Sequence, residues 1–261
     1  MSAHSSGSSE AADSAGQPWA GRSFQPNPAA GDDGAADPDL LAALEAFAER
    51  RGGRAAVIEA LRGARLLVPL LAEAGEVGET PDGRTVDKTQ ELSLVTVEGP
   101  GGRTVLPAFT SVDTMRVWDP SARPIPAEAP RIALAAGADG SGVVLDPGSP
   151  TEFALRRPAL AALATGDDWL AAWDADVVWD AYGAFMGDEP DVLAIDIGPV
   201  TEVSTFFDPE IGILLTVRPD LSEPLVEALV ARADAVWRSL DPGLFDGPTS
   251  VATAAAPART S

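Results

Sequence analysis

Leu40, Leu41, Leu44 and Phe47 recur at three- and four-residue steps behind Asp37, Pro38 and Asp39. Apolar residues at that spacing line one face of an α-helix, and acids with a proline in the first turn mark its start. Gly52 and Gly53 end this helix, and Val57, Ile58 and Leu61 predict a second, shorter one. The run 66–71 is apolar on both faces and too short for a helix. It predicts a buried strand with Pro69 near an edge. Residues 73–87 read as a polar loop holding Gly75, Gly78, Pro81 and Gly83.

Leu92, Leu94, Val95 and Val97 then predict a strand, the glycine-rich turn 99–102 reverses the chain, and 104–109 returns. This is the clearest hairpin in the sequence. Ser111 is placed to cap a short helix reaching Trp118, with Asp113 in its first turn. Asp119 and Pro120 stop that helix. A proline-marked link through Pro124 and Pro126 leads to a further helix over 127–136. Short strands at 142–145 and 152–155 flank a turn at Asp146, Pro147 and Gly148, and Pro158 opens a helix through Leu163. The expectation is that the hairpin strands pair antiparallel with 66–71 in the same sheet, and that the helices at 40–47 and 57–61 cover one face.

Thr165, Gly166 and Asp167 read as a boundary. Beyond it, Trp169, Trp173, Trp179 and Tyr182 stand among acids, strands are predicted at 191–197 and 211–217, and Ser222 is placed to cap a helix carrying Leu225, Leu229, Val230, Val236, Trp237 and Leu240. The expected organisation is a disordered leader at 1–36, a larger domain at 37–166, a smaller C-terminal α/β domain at 167–242 and a disordered tail at 243–261. The fold class is α+β, with a mixed, largely antiparallel sheet under covering helices.

Composition narrows the chemistry. The chain has 261 residues, 45% of them hydrophobic, and no cysteine. Disulfides, thiol catalysis and cysteine-ligated zinc are excluded. No run approaches a membrane span, and the polar start predicts no signal peptide, so a soluble, cytoplasmic protein is expected. The net charge of −22 repels nucleic-acid and anionic lipid phosphates. The sole histidine, His4, lies in the leader, so a histidine base, triad or metal ligand in the core is excluded. Lys88 is the only lysine and follows Asp87, which rules out a phosphate-binding loop of the Walker type. The glycine-rich stretch 137–142 reads as a turn. No cofactor is expected.

The segments "ARLLVPLLAE", "DKTQELSLVTVE", "GRTVLPAFTSVDTMRVWDPSARPIP" and "GVVLDPGSPTEFALRRPALAALA" occur in this order. In that order the chain resembles the N-terminal domain of SseB-like proteins, from about Pro38 to Thr165. The island of Trp19 to Phe24 is similar to the leader of actinobacterial members, and "ILLTVRPDLSEPLVEALV" is similar to the smaller C-terminal domain. The resemblance implies a fold. It implies no catalytic residues, because the family name records a phenotype, enhanced serine sensitivity.

Three groups of residues are candidates for chemistry. Asp87, Lys88 and Glu91 precede the hairpin, and Thr110, Ser111 and Asp113 close its return side. The hairpin sets the two ends side by side, as a small binding patch or as a plain salt bridge at a strand entry. Asp174, Asp176 and Asp180 read as a solvated acidic face, without calcium-loop spacing. Trp19, Arg22 and Phe24 form an island in the leader that is expected to dock on a surface, either this protein's own or a partner's. The leading expectation is a non-enzymatic binding or regulatory module with an unidentified protein partner. The alternatives are an enzyme of amino-acid or small-molecule metabolism built on Lys88, and a structural or assembly protein. The oligomeric state is not legible.

Overall fold

Asp37 starts the fold as predicted. Its carboxylate accepts the backbone N–H groups of Asp39 and Leu40, both at 3.0 Å. The structure, a computed structural model, describes residues 31–70, 78–79, 85–86, 96–99, 102–240 and 250–256. Its helices are α1 (Pro38–Ala48), α2 (Arg54–Leu61), α3 (Val112–Trp118), α4 (Ala129–Ala138), α5 (Arg157–Thr165), α6 (Asp176–Asp188) and α7 (Glu223–Ser239). Its strands are β1 (Arg65–Leu70), β2 (Gly78–Glu79), β3 (Thr85–Val86), β4 (Val97–Glu98), β5 (Thr104–Ala108), β6 (Arg123–Glu128), β7 (Gly142–Leu145), β8 (Phe153–Leu155), β9 (Val192–Pro199), β10 (Ile211–Val217) and β11 (Ser250–Ala255). The fold class is α+β. Gly34–Ser261 forms one unit and Met1–Asp33 another. The expected leader therefore runs too far. Within the larger unit, Val112 N–H donates to Gly34 O at 2.9 Å and Arg65 donates to Ala35 O at 2.6 Å, which fixes both residues to the folded part.

The first core lies among α1, α2, α4 and α5 and the strands they cover, with Leu40, Leu44, Ile58, Leu106, Leu145 and Phe153 buried in it. The rings of Phe47 and Phe153 meet edge to face, 5.0 Å between centres. Strands β4, β5, β7 and β8 form one sheet in that order. The β4–β5 pairing is antiparallel, as predicted, with Val97 opposite Val105. Residues 92–95 of the predicted hairpin lie outside the described residues. Strands β5 and β7 are parallel. In the segment read as a loop, β2 and β3 pair antiparallel.

Strand β1 pairs antiparallel with β6, from Arg65 opposite Glu128 to Leu70 opposite Arg123. This corrects the reading of 123–126 as a link and of a helix beginning at 127, since α4 starts only at Ala129. The prolines allow the pairing because of the direction their nitrogens face. Backbone groups alternate sides along a strand. Leu67 exchanges hydrogen bonds with Phe109 on the other flank of β1, at 2.8 Å each way. Leu66, Val68 and Leu70 therefore turn their backbone groups toward Ala127, Ile125 and Arg123 of β6. Pro124 and Pro126 fall between these partners, with their nitrogens toward the open edge. No ladder bond is lost, and that edge has fewer donors for a further strand.

The same alternation overturns the expectation that β1 lies in the hairpin's sheet. Among the described residues, Leu67 and Phe109 form a single bridge between β1 and the end of β5. The next pair along that ladder would set Pro69 against Pro107, and neither has an N–H to donate. In the other direction the partner of Arg65 would be Ser111, which already caps α3.

The second core packs α6 and α7 on the sheet β11–β10–β9. Ile211, Ile213, Leu215 and Val217 alternate inward along β10. Strand β9 is antiparallel to β10, whereas β11 is parallel to it, so β10, α7 and β11 form a β-α-β unit. Strand β11 corrects the expected disordered tail. Beside a formed neighbour, the sequence Ser-Val-Ala-Thr-Ala-Ala needs little beyond backbone pairing and the contact of Val251 with the core. Ser222 stands at the N-cap of α7, but its side chain makes no capping bond, and Leu225 is 51% exposed rather than on the buried side.

Candidate functional site

Asp87, Lys88 and Glu91 lie outside the described residues, as do Trp19, Arg22 and Phe24. The return side of the expected patch is described, and Thr110 and Ser111 are both engaged in holding the fold. Ser111 caps α3 reciprocally with Thr114. Asp113 is exposed and lies 3.9 Å from Arg116. Thr110 is buried, and its N–H and hydroxyl both donate to the Asp146 carboxylate, at 2.8 and 2.7 Å. Asp146 is itself 1% exposed, with φ at +43°. Its N–H donates to Ala108 O at 2.8 Å, and the Thr151 hydroxyl donates to its Oδ2 at 3.2 Å. The residue read as an ordinary turn position thus joins the ends of β5 and β7 and the approach to β8.

The loop between β9 and β10 reaches from the second core onto the first. A loop without a ladder needs partners for its carbonyl groups, and two arginines of the first core supply them. Arg54 Nη2 donates to Thr201 O at 3.0 Å and Val203 O at 2.9 Å. Arg156 Nη2 donates to Thr205 O at 2.6 Å and Asp208 O at 2.7 Å. The Arg156 side chain is buried, with its Nε 3.9 Å from Glu210 Oε2. Burial pulls the Arg54 pKa below its ordinary value; Glu210 opposes this and Arg156 adds to it. The Arg54 guanidinium also lies over the rings of Phe47, at 5.5 Å, and Trp173, at 5.4 Å. Ser204 extends the edge of β8: its carbonyl accepts Ala154 N–H, and its hydroxyl donates back to Ala154 O, both at 2.9 Å. Phe206 sits beneath Arg156 at 5.2 Å and packs with Val105 and Ala154.

Phe206 also forms one wall of a cavity of about 360 Å³. Arg103 and Thr104 reach it from the start of β5, Asp139 from the turn between α4 and β7, Gly142 from the first residue of β7, and Arg157 from the first residue of α5. Gly142 is required by close approach, because a Cβ there would stand 2.3 Å from Phe206 Cζ. The glycine-rich stretch read as a turn over 137–142 turns only at 139–141, between the end of α4 and the start of β7, and Asp139, Gly140 and Gly142 line the cavity. Sequence reasoning missed Arg54, Arg103, Arg156, Arg157 and Phe206. The one local signal was two adjacent arginines before Pro158, and the carbonyls that Arg156 binds lie 49 and 52 residues away.

A shallower groove of about 380 Å³ runs between α7 and β11, lined by Val226, Val230 and Val251 with Glu227 and Asp234. Asp174, Asp176 and Asp180 are exposed. Among the described residues, no three His, Asp or Glu side chains gather as a metal ion would require, and no helix is long and apolar enough to cross a membrane. No curated protein and no solved structure matches the chain. Residues 40–162, which carry most of the first core, the two arginines that hold the β9–β10 loop and the two that line the cavity, match the family model of the SseB protein N-terminal domain.

Proposed function

We propose that this chain is an SseB-like binding module with a regulatory role, and that its ligand enters the cavity between β5, the α4–β7 turn, α5 and Phe206. The observation that carries this reading is the origin of Phe206. The ring belongs to a loop of the second core, yet it completes a cavity of the first. An occupant touching that ring bears on the loop held by Arg54 and Arg156, so binding in one core is communicated to the other. Among the described residues, four of the five buried polar side chains, Thr110, Asp146, Arg156 and Ser204, are engaged in structural hydrogen bonds and only the Ser141 hydroxyl has no partner, a balance that favours recognition over catalysis. The same proposal includes a cytoplasmic place of action, supported by the cysteine-free composition. It also includes a protein partner engaged through Trp19, Arg22 and Phe24.

A melting-temperature screen of small metabolites tests the reading. Thr104 is exposed at the cavity, so Thr104→Trp fills the opening without disturbing the core. Compounds that raise the melting temperature of the natural chain should fail to do so in this variant. Hits indifferent to Thr104→Trp, or turnover of a screened compound, would contradict it.

A further inference from the structure

We propose that the cavity is an oxyanion site, in which Arg103 and Arg157 hold the carboxylate or phosphate group of a small molecule. This rests on the binding reading above and names the ligand's chemistry.

Three observations converge on it. The first is the composition of the cavity wall against that of the chain. The protein carries 40 acids and 18 bases, whereas the charged side chains of this wall are two arginines and one acid, Asp139. Such a local inversion of sign attracts an anionic group into one place on an otherwise repelling surface. The second is the kind of base. A guanidinium presents five N–H donors in a planar fork that matches a carboxylate or phosphate edge, and an existing protein contact does not exhaust all five. Arg103 and Arg157 come from separate elements, a strand start and a helix start, so their forks approach one space along different paths. The third is the entry of α5. Arg157 opens this nine-residue helix, and no side chain caps it. Pro158 has no N–H, so the first turn offers the N–H groups of Arg157 and Ala159, and these with the positive end of the dipole add to the arginine charge.

The remaining wall limits the ligand. A cavity of about 360 Å³ suits a metabolite and is small for a dinucleotide. Val105 and Phe206 offer apolar contact, and Asp139 and Thr104 can receive hydroxyl or amine donors of the same molecule. The expected class is a small carboxylic acid or phosphate ester with a short, partly apolar body.

Calorimetric titration of the full chain with inorganic phosphate and, separately, with succinate tests this, using sodium chloride at matched ionic strength as the reference. Saturable binding of either probe is expected; phosphate alone would point to a phosphate ester, and succinate alone to a carboxylic acid. Arg157→Gln and Arg103→Gln should each weaken that binding about tenfold or more. Arg157→Lys should recover part of it. Arg157 is exposed and Arg103 half-buried, and unchanged melting curves would verify that the variants fold. Absence of saturable binding by both probes, or binding unchanged in both glutamine variants, overturns the oxyanion site. The binding reading survives that failure if uncharged compounds still stabilise the natural chain and not Thr104→Trp.

Discussion

The ring of Phe206 lies directly on Gly142, so close that a methyl group on residue 142 would meet Phe206 Cζ at 2.3 Å. The contact joins a loop of the second core to a strand of the first, and it sets the back wall of the cavity. Gly142→Ala should therefore displace the loop and destabilise the protein by about 1–3 kcal/mol. Trimming the ring with Phe206→Ala should relieve the clash, so the double variant should cost less than the two single changes added together. Urea unfolding of the four proteins measures this.

Arg156 holds the same loop from above. Arg156→Leu leaves the carbonyls of Thr205 and Asp208 without this donor and removes one of the bases near Glu210. A loss of about 3 kcal/mol is expected. Arg156→Lys should restore little, because an ammonium does not reproduce the planar fork over Phe206. Limited proteolysis should show new cleavage between 200 and 210 in both variants, and an intact loop in Arg156→Lys would contradict the account.

Asp146 gives an ordered series. Asp146→Ala removes the acceptor of a buried backbone N–H and hydroxyl, and it places a β-carbon residue without local hydrogen bonding at φ +43°. The cost should be about 2–4 kcal/mol. Asp146→Asn keeps one oxygen for Thr110 N–H and tolerates the left-handed backbone, so it should cost distinctly less. Thermal melts that rank Asn at or below Ala in stability would contradict the role given to this side chain.

Tyr182 is the only tyrosine in the chain. Its hydroxyl donates to Ala233 O at 2.9 Å within the second core. Burial, and then the charge of Asp234, pushes its pKa well above the ordinary value of 10.0. The folded form thus keeps a proton that the unfolded chain releases. Below about pH 10 both states are protonated and the full stability is present; as pH rises further, stability falls. The tyrosinate absorbance should appear together with unfolding rather than before it. Tyr182→Phe should cost about 0.5–1.5 kcal/mol at neutral pH and flatten the alkaline decline.

Features with local causes were legible in the sequence. The helix start at Asp37, the Ser111 cap and the strand at 211–217 each follow from residues within one short segment. Features made by distant partners were not. Strand β6 looked like a link because prolines usually deny pairing, and only the orientation of β1 shows that Pro124 and Pro126 face outward. The separation of β1 from the four-stranded sheet was written in Pro69 and Pro107, but it becomes visible only when the bridge between Leu67 and Phe109 sets their register. Strand β11 has too little apolar character to announce itself before β10 is in place beside it. Thr110 and Ser111 were singled out for a ligand, and the structure shows their hydrogen bonds within the fold. The cavity itself depends on Phe206 meeting a strand more than 60 residues earlier in the chain.

The central claim is that one occupant of the cavity is felt by both cores. Amide hydrogen exchange of the full chain, with and without a saturating compound from the melting-temperature screen, tests it most directly. The account predicts slower exchange together at 103–105, at 139–142 and along 201–208, with 226–234 of the α7 groove unchanged. Protection confined to the α7 groove, or protection at 103–105 and 139–142 with none along 201–208, would contradict it.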